Sequence, residues 1–414
     1  MALSIYARVL EAVRGDRLIS QAVQRIGSDL FVQDQRLDLS AFSRVLICGA
    51  GKASVAMAQG LVAVLGEHCS GGLIVTKEGH AEAVEGLDVM EAGHPLPTRA
   101  SLDAGERMLD LAAGCGEGDL VFFLLSGGAS ALMEAPAERI TLSDLVETNR
   151  VLLASGADIK AVNSIRARIS RTKAGGLARA FAPASVVVLV LSDVVGNDLQ
   201  AIGSGPFMTP REDKIPSYLS SRLPDAVQQQ LRYPALHWPT QAVQHAVIGS
   251  ISLAILEASD AAKSLGLTPL AYQDPLRGEA RIMARRIVRE AALRVTRHDG
   301  PFCMIFGGET TVTLRGDGLG GRCQEMAAAA SWQLSRLRDT AFLAAGTDGS
   351  DGPTVAAGAV VDSRSCRIAH SKGSSLRKAL RENDSLHYLE QCDGLIVTGP
   401  TGSNVNDLVL VVRT

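Results

Sequence analysis

Val45-Leu46-Ile47-Cys48-Gly49-Ala50-Gly51-Lys52 joins four apolar residues directly to two glycines and a lysine. Four apolar side chains in a row leave no face for solvent, as expected of a strand in a parallel sheet covered by helices on both sides. Runs of the same kind recur at Leu73-Ile74-Val75, 120–125 and 186–191, with helical stretches between them. That alternation defines an α/β class. A second set of strand candidates follows at 302–306, 311–315, 341–345, 358–361, 395–397 and 408–412. Thr311-Val312-Thr313-Leu314 alternates in polarity, so the second sheet is predicted to be mixed, with an antiparallel member.

The chain has 414 residues, 46% hydrophobic and 21% charged, enough apolar material for more than one core. Residues 1–39 read as helical. Six of the fifteen prolines fall between Pro206 and Pro239 and mark a linker. The expected architecture is two Rossmann-like α/β domains, 1–240 and 241–414, with a cleft between them. A net charge of −3 and the lack of any basic run argue against nucleic acid as a partner. No apolar stretch reaches membrane-spanning length, and Met1 to Leu10 lacks the features of a secretory signal. Seven scattered cysteines, none in a C-x-x-C pair, read as reduced thiols of a cytoplasmic protein. Eight dispersed histidines give no zinc spacing.

Six of the apolar runs lead into loops of Gly, Ser, Thr, Asp and Asn, and open α/β sheets bind ligands at such carboxyl ends. Gly49-Ala50-Gly51-Lys52 would offer backbone amides and one cation to an anion. It is not a P-loop, because Leu46 and Ala53 stand where Gly and Ser or Thr are required. It carries half of a dinucleotide fingerprint, with Ser54 in place of the third glycine and Lys77 where an acid should meet the ribose. Ser126-Gly127-Gly128-Ala129-Ser130 reads as a second strand-to-helix nest, and the absence of G-x-S-x-G disfavours hydrolysis. In the second half, Gly307-Gly308-Glu309 ends a strand. Gly320-Gly321-Arg322 brings up a guanidinium suited to holding a carboxylate or phosphoryl oxygen bidentately. Asp193, Asp348 and Asp351 lie at strand ends, where an acid suits Mg²⁺ or a proton and equally suits a turn or helix cap. Glu309 and Asp407 share that ambiguity. One Lys, one Arg, several acids and glycine nests are the parts phosphoryl transfer needs, with the acceptor left unnamed.

Taken in order, these motifs resemble the glycerate 2-kinases whose carboxyl-terminal part is called the MOFRL domain. The resemblance spans nearly the whole chain. It rests on 49–53, Gly93-His94-Pro95-Leu96-Pro97, 126–132, Asn163-Ser164-Ile165-Arg166 and 191–198 in the first half. In the second it rests on 307–311, Gly320-Gly321-Arg322, 346–354 and Asn404-Val405-Asn406-Asp407-Leu408. It implies an enzyme using ATP and Mg²⁺ to phosphorylate the 2-hydroxyl of (R)-glycerate. Relatives labelled hydroxypyruvate reductase keep an NAD(P)H-dependent reductase as the alternative. The site so expected has Lys52, Arg322 and Asp193 as catalytic residues. Gly49, Gly51, Ser126, Gly127, Gly128, Ser130, Gly307, Gly308 and Glu309 would bind nucleotide phosphates. Asp193, Asp348 and Asp351 would bind the metal, and Arg322, Lys52 and Asn404 the substrate. Glycerate and ATP are the expected partners, nucleic acid and membrane are not, and a homodimer is allowed for. Ala129 and Cys323 depart from the family pattern, which often has Gly and Asn there, without removing a charged group.

Overall fold

The computed structural model describes residues 1–209, 214–233, 243–296 and 300–414. The chain divides into two compact units, Gly15–Ile248 and Met1–Arg14 with Gly249–Thr414. The expected boundary at 240/241 lies outside the described residues. Met1–Arg14, expected in the first domain, belongs instead with the carboxyl-terminal half. The reason is the helix Ala2–Ala12, whose face of Ile5, Tyr6 and Val9 is fully buried. Ile5 and Val9 each contribute ~1.5–3 kcal/mol on burial.

In the Gly15–Ile248 unit, two short helices' worth of expected structure becomes sheet. Val23–Ile26 (β1), Asp29–Val32 (β2) and Gln35–Asp38 (β3) form an antiparallel meander. Gly27 and Gln33 take left-handed φ of 64° and 52° at its turns, which stops the helix that residues 1–39 were read to form. The main sheet contains Arg44–Ala50 (β4), Cys69–Lys77 (β5), Asp88–Ala92 (β6), Asp119–Ser126 (β7), Ser185–Leu191 (β8) and Gln244–Gly249 (β9), in the order β6-β5-β4-β7-β8-β9. The pairings β4 with β5 and β7, β5 with β6, and β7 with β8 are all parallel, as the unbroken apolar runs require. The chain moves outward on one side through β5 and β6, then on the other through β7 and β8. The order therefore reverses between β4 and β7, the point where such sheets bind ligands. Residues 206–239, expected as a linker, are described only at 206–209 and 214–233. The helices Ser217–Ser220 and Asp225–Gln230 bury Leu219 and Val227 completely against Leu145 and Ile165, so this stretch is part of a core.

The other unit contains Thr268–Ala271 (β10), Phe302–Gly308 (β11), Thr340–Gly346 (β12), Gly358–Asp362 (β13), Leu395–Ile396 (β14) and Asp407–Arg413 (β15), in the order β10-β11-β15-β12-β13-β14. β10 and β11 are parallel. β15 runs antiparallel to both β11 and β12, and β12, β13 and β14 are antiparallel in turn. The sheet is mixed, but not through 311–315. There the amides of Thr313 and Arg315 are bonded to the side chains of Glu279 (3.2 Å) and Asn383 (2.6 Å) in place of a neighbouring strand. The insertion of β15 has one local consequence that matters: its first residue, Asp407, pairs with Gly308 and Gly346, the last residues of β11 and β12. No helix among the described residues is long and apolar enough to cross a membrane.

Candidate active site

At the switch point of the parallel sheet, the end of β4 is pressed against the end of β7. A Cβ on Gly51 would lie 2.1 Å from Ser126 Oγ and 2.6 Å from the Ser126 carbonyl oxygen, and Gly51 has φ of 140°. Only glycine fits there. Gly51→Ala is expected to cost ~2–4 kcal/mol, read as a fall in the urea midpoint with unchanged slope; an unshifted midpoint would show that the turn yields freely.

The amides of this turn do not face outward as the sequence led one to expect. Gly51 N donates to Val75 O (3.1 Å), Lys52 N to Gly127 O (2.9 Å), Ala53 N to Ser126 Oγ (3.1 Å) and Ser54 N to Gly51 O (3.2 Å). What the turn offers an anion is therefore the half-buried Lys52 side chain. Ser126 is buried, its hydroxyl oxygen occupied by the Ala53 amide, so it shapes the turn. Gly127 and Gly128 differ: their amides donate to no protein acceptor among the described residues. Gly128 has φ of 93°, and a Cβ there would stand 3.2 Å from the His94 ring, which closes one side of the loop. Ser130 Oγ lies 2.8 Å from Ser204 Oγ. Asp193, just past the end of β8, is partly exposed at the same edge of the sheet.

Behind this loop is a group that sequence reasoning missed. Lys173 forms a buried ion pair with Glu134, whose other oxygen accepts from Ser170. Burial lowers the Lys173 pKa, with Glu134 opposing that and Arg166 adding to it. The only signal was Glu134 itself, an acid directly after the apolar 131–133.

In the other unit, Arg322 begins the helix Arg322–Leu334 and is held by two acids. Its Nε and Nη2 donate to the two oxygens of Asp407 at 2.6 and 2.9 Å, and Nη1 meets Glu309 at 2.9 Å. Burial works against the charge, but Asp407 and Glu309 outweigh it and raise the pKa. Two of five N–H donors remain for a ligand. From sequence alone Asp407 is an ambiguous acid outside the expected site. Its part depends on β15 lying between β11 and β12.

The Asp351 carboxylate caps the helix, accepting from Cys323 N (3.2 Å) and Gln324 N (2.8 Å). Gly321 must be glycine, since a Cβ would fall 2.2 Å from that carboxyl carbon. Burial and then Asp407 push the Asp351 pKa from 3.8 up to about 6 against the pull of the capping amides and Arg322. The folded protein thus binds this proton more tightly than the unfolded chain. Stability from this group is present below about pH 4 and lost as pH rises through about 6. Asp351→Asn should flatten that part of the stability profile in denaturant titrations; an unchanged slope would assign it to other groups.

Asp348 Oδ1 accepts from Ser350 N (3.0 Å) in a turn wedged against 398–406, where Thr347 Oγ1 donates to Asn406 O (2.7 Å) and Thr401 Oγ1 to Thr347 O (2.5 Å). Asn404 is buried in that second loop. Tyr6, also missed, donates to Gly346 O (2.6 Å). Burial first, then Cys323, Asp348 and Asp407, raise its pKa, so the hydroxyl keeps its proton. Gly307 and Gly308 have a packing reason: Cβ atoms there would strike Ile251 at 2.3 Å and Leu276 at 2.5 Å. Among the described residues no three His, Cys, Asp or Glu side chains converge as a cation site.

One unit thus carries a switch-point loop with a lysine and two amides that bond to no acceptor among the described residues, and the other a mixed sheet whose strand ends lock an arginine: both are parts of α/β proteins suited to anions. Profiles described as "Domain of unknown function (DUF4147)" and "MOFRL family" match residues 1–231 and 302–407. A D-glycerate 2-kinase of Thermotoga maritima is 35% identical, over 99% of this chain and 97% of its own. A protein of Agrobacterium vitis provisionally named hydroxypyruvate reductase is 38% identical, over 88% of this chain and 98% of its own. The crystal structure of a Thermotoga maritima glycerate kinase superposes with a TM-score of 0.84 at 34% identity, covering 100% of this chain and 98% of that one. The chain belongs to the glycerate 2-kinase family that combines these two regions.

Proposed function

We propose that this enzyme transfers the γ-phosphoryl of ATP to the 2-hydroxyl of (R)-glycerate. The observation that carries the reading is Arg322, a guanidinium fixed by two carboxylates with donors to spare. Phosphoryl transfer needs charge positioned before the reaction more than it needs covalent chemistry. In this reading Lys52 and the Gly127 and Gly128 amides take phosphate oxygens, while Arg322 holds the transferring phosphoryl or the glycerate carboxylate, with Asn404 near the substrate. Mg²⁺ bound with ATP would supply charge neutralisation to the phosphate oxygens and would need only one or two protein carboxylates. Asp193, Asp348 and Asp351 are the candidates to hold it; Asp351 also accepts from the amides of Cys323 and Gln324, and Asp348 from Ser350 N and Oγ. In this reading Asp193 would orient that ion or accept the hydroxyl proton. Seven free cysteines support a reducing, cytoplasmic setting.

The reductase alternative is opposed by two observations. β5 ends in Lys77 where a dinucleotide site wants an acid, and the amides of the Gly49–Gly51 turn are bonded within the protein. The assay that separates them supplies ATP, Mg²⁺ and glycerate, and separately NAD(P)H and hydroxypyruvate. ADP release that depends on glycerate, with no NAD(P)H oxidation, is expected; the reverse pattern would overturn the kinase reading.

A further inference from the structure

Away from the strand ends, the unit containing Arg322 has a cavity of about 1100 Å³ bordered by the helices Ala280–Val295, Arg322–Leu334, Ser365–Ser371 and Leu376–Glu382. Six arginines line it, Arg281, Arg285, Arg315, Arg367, Arg377 and Arg381, and among the described residues no Asp or Glu does. A second hollow of about 560 Å³ shares Arg285, Trp332 and Gln333 with it and adds Arg286, Arg289 and Arg336. Arg281 is balanced by Glu325 at 2.7 Å, and Arg381 by Glu382 at 2.8 Å. Arg285, Arg315, Arg367 and Arg377 make no ion pair among the described residues.

Arg285, Arg315, Arg367 and Arg377 are exposed, and four guanidinium groups without an acidic partner around one hollow, in a chain of net charge −3, concentrate positive potential that attracts a polyanion. Guanidinium forks match phosphate oxygens in particular. Trp332 lines both hollows and is 56% exposed, a flat apolar surface beside the cations on which a base can stack. We propose that this chamber is a second anion site taking a nucleoside polyphosphate, with its phosphates on Arg285, Arg315, Arg367 and Arg377 and its base on Trp332. It is separate from Arg322: Trp332 lies ten residues further along the same helix, ~15 Å at 1.5 Å per residue.

The test uses the full-length enzyme carrying Trp238→Phe, which leaves Trp332 as the sole tryptophan. Its emission is followed while ATP, inorganic tripolyphosphate and citrate are added at ~0.1 M salt. ATP and tripolyphosphate are expected to change it saturably, ATP the more tightly. The response should persist when Lys52→Ala is added and weaken at least tenfold when Arg285→Ala and Arg367→Ala are added. That last pair should keep its turnover and melting temperature; Arg377→Ala alone gives an independent, smaller loss. Citrate binding as tightly as ATP would overturn the ligand class. No saturable response, or one lost with Lys52→Ala and kept with the arginine variants, would overturn the site.

Discussion

Arg322→Ala is expected to lower kcat/KM for glycerate phosphorylation by ~10³-fold or more, because a fixed cation acting on transition-state charge is among the largest single contributors to such reactions. The same substitution leaves Asp407, with 5% of its side chain exposed, as a buried carboxylate without its partner. That loss of pairing costs several kcal/mol of stability, ~3–5 by analogy with broken buried pairs, so folding has to be checked beside activity. Arg322→Lys separates the two effects. A lysine keeps the charge but cannot span both Asp407 oxygens and Glu309, so stability should recover more than turnover does. If Arg322→Ala stays folded and turns over normally, Arg322 is a helix-start residue held for structure alone.

Lys52→Ala should be equally severe, ~10³-fold, for a different reason and with a different signature. The Lys52 backbone amide bonds to Gly127 O whatever the side chain is, so the turn and the fold should survive. The loss should fall on the charge presented to phosphate oxygens, lowering turnover and weakening ATP more than glycerate. Steady-state kinetics at varied ATP, with circular dichroism as the control, reads this out. A variant impaired only in KM for glycerate would move Lys52 from the nucleotide to the acceptor.

Much of this was legible from residue order because the central strands are apolar on both faces. β4, β7, β8, β11, β12 and β15 each contain a run with no solvent-facing position, and such runs have few other uses in a chain of this composition. The edge elements were harder. β1 to β3 are four-residue strands set by turn residues rather than by a long pattern, and β6 and β10 carry too few buried positions to announce themselves. The alternation at 311–315 pointed to a strand, but side chains 34 and 68 residues away in sequence satisfy its amides. The same long-range dependence hid the partner of Arg322. Asp407 is 85 residues further on, and the two meet only because β15 returns antiparallel between β11 and β12. Lys52 and Arg322 stood out against their glycines; whether each glycine served an anion or a packing contact was beyond the sequence. Gly51, Gly307 and Gly308 turned out to admit Ser126, Ile251 and Leu276.

The names of the relatives leave the position of phosphorylation as the sharpest question, since one is a D-glycerate 2-kinase and another simply a glycerate kinase. The direct measurement is the product formed from (R)-glycerate, ATP and Mg²⁺, read by proton-coupled ³¹P NMR through coupling to the protons on the carbon that bears the ester. A doublet from the single methine proton at C2, with one ADP released per ester formed, is the predicted result. Coupling to the pair of methylene protons at C3, or no phosphate ester at all, would contradict it.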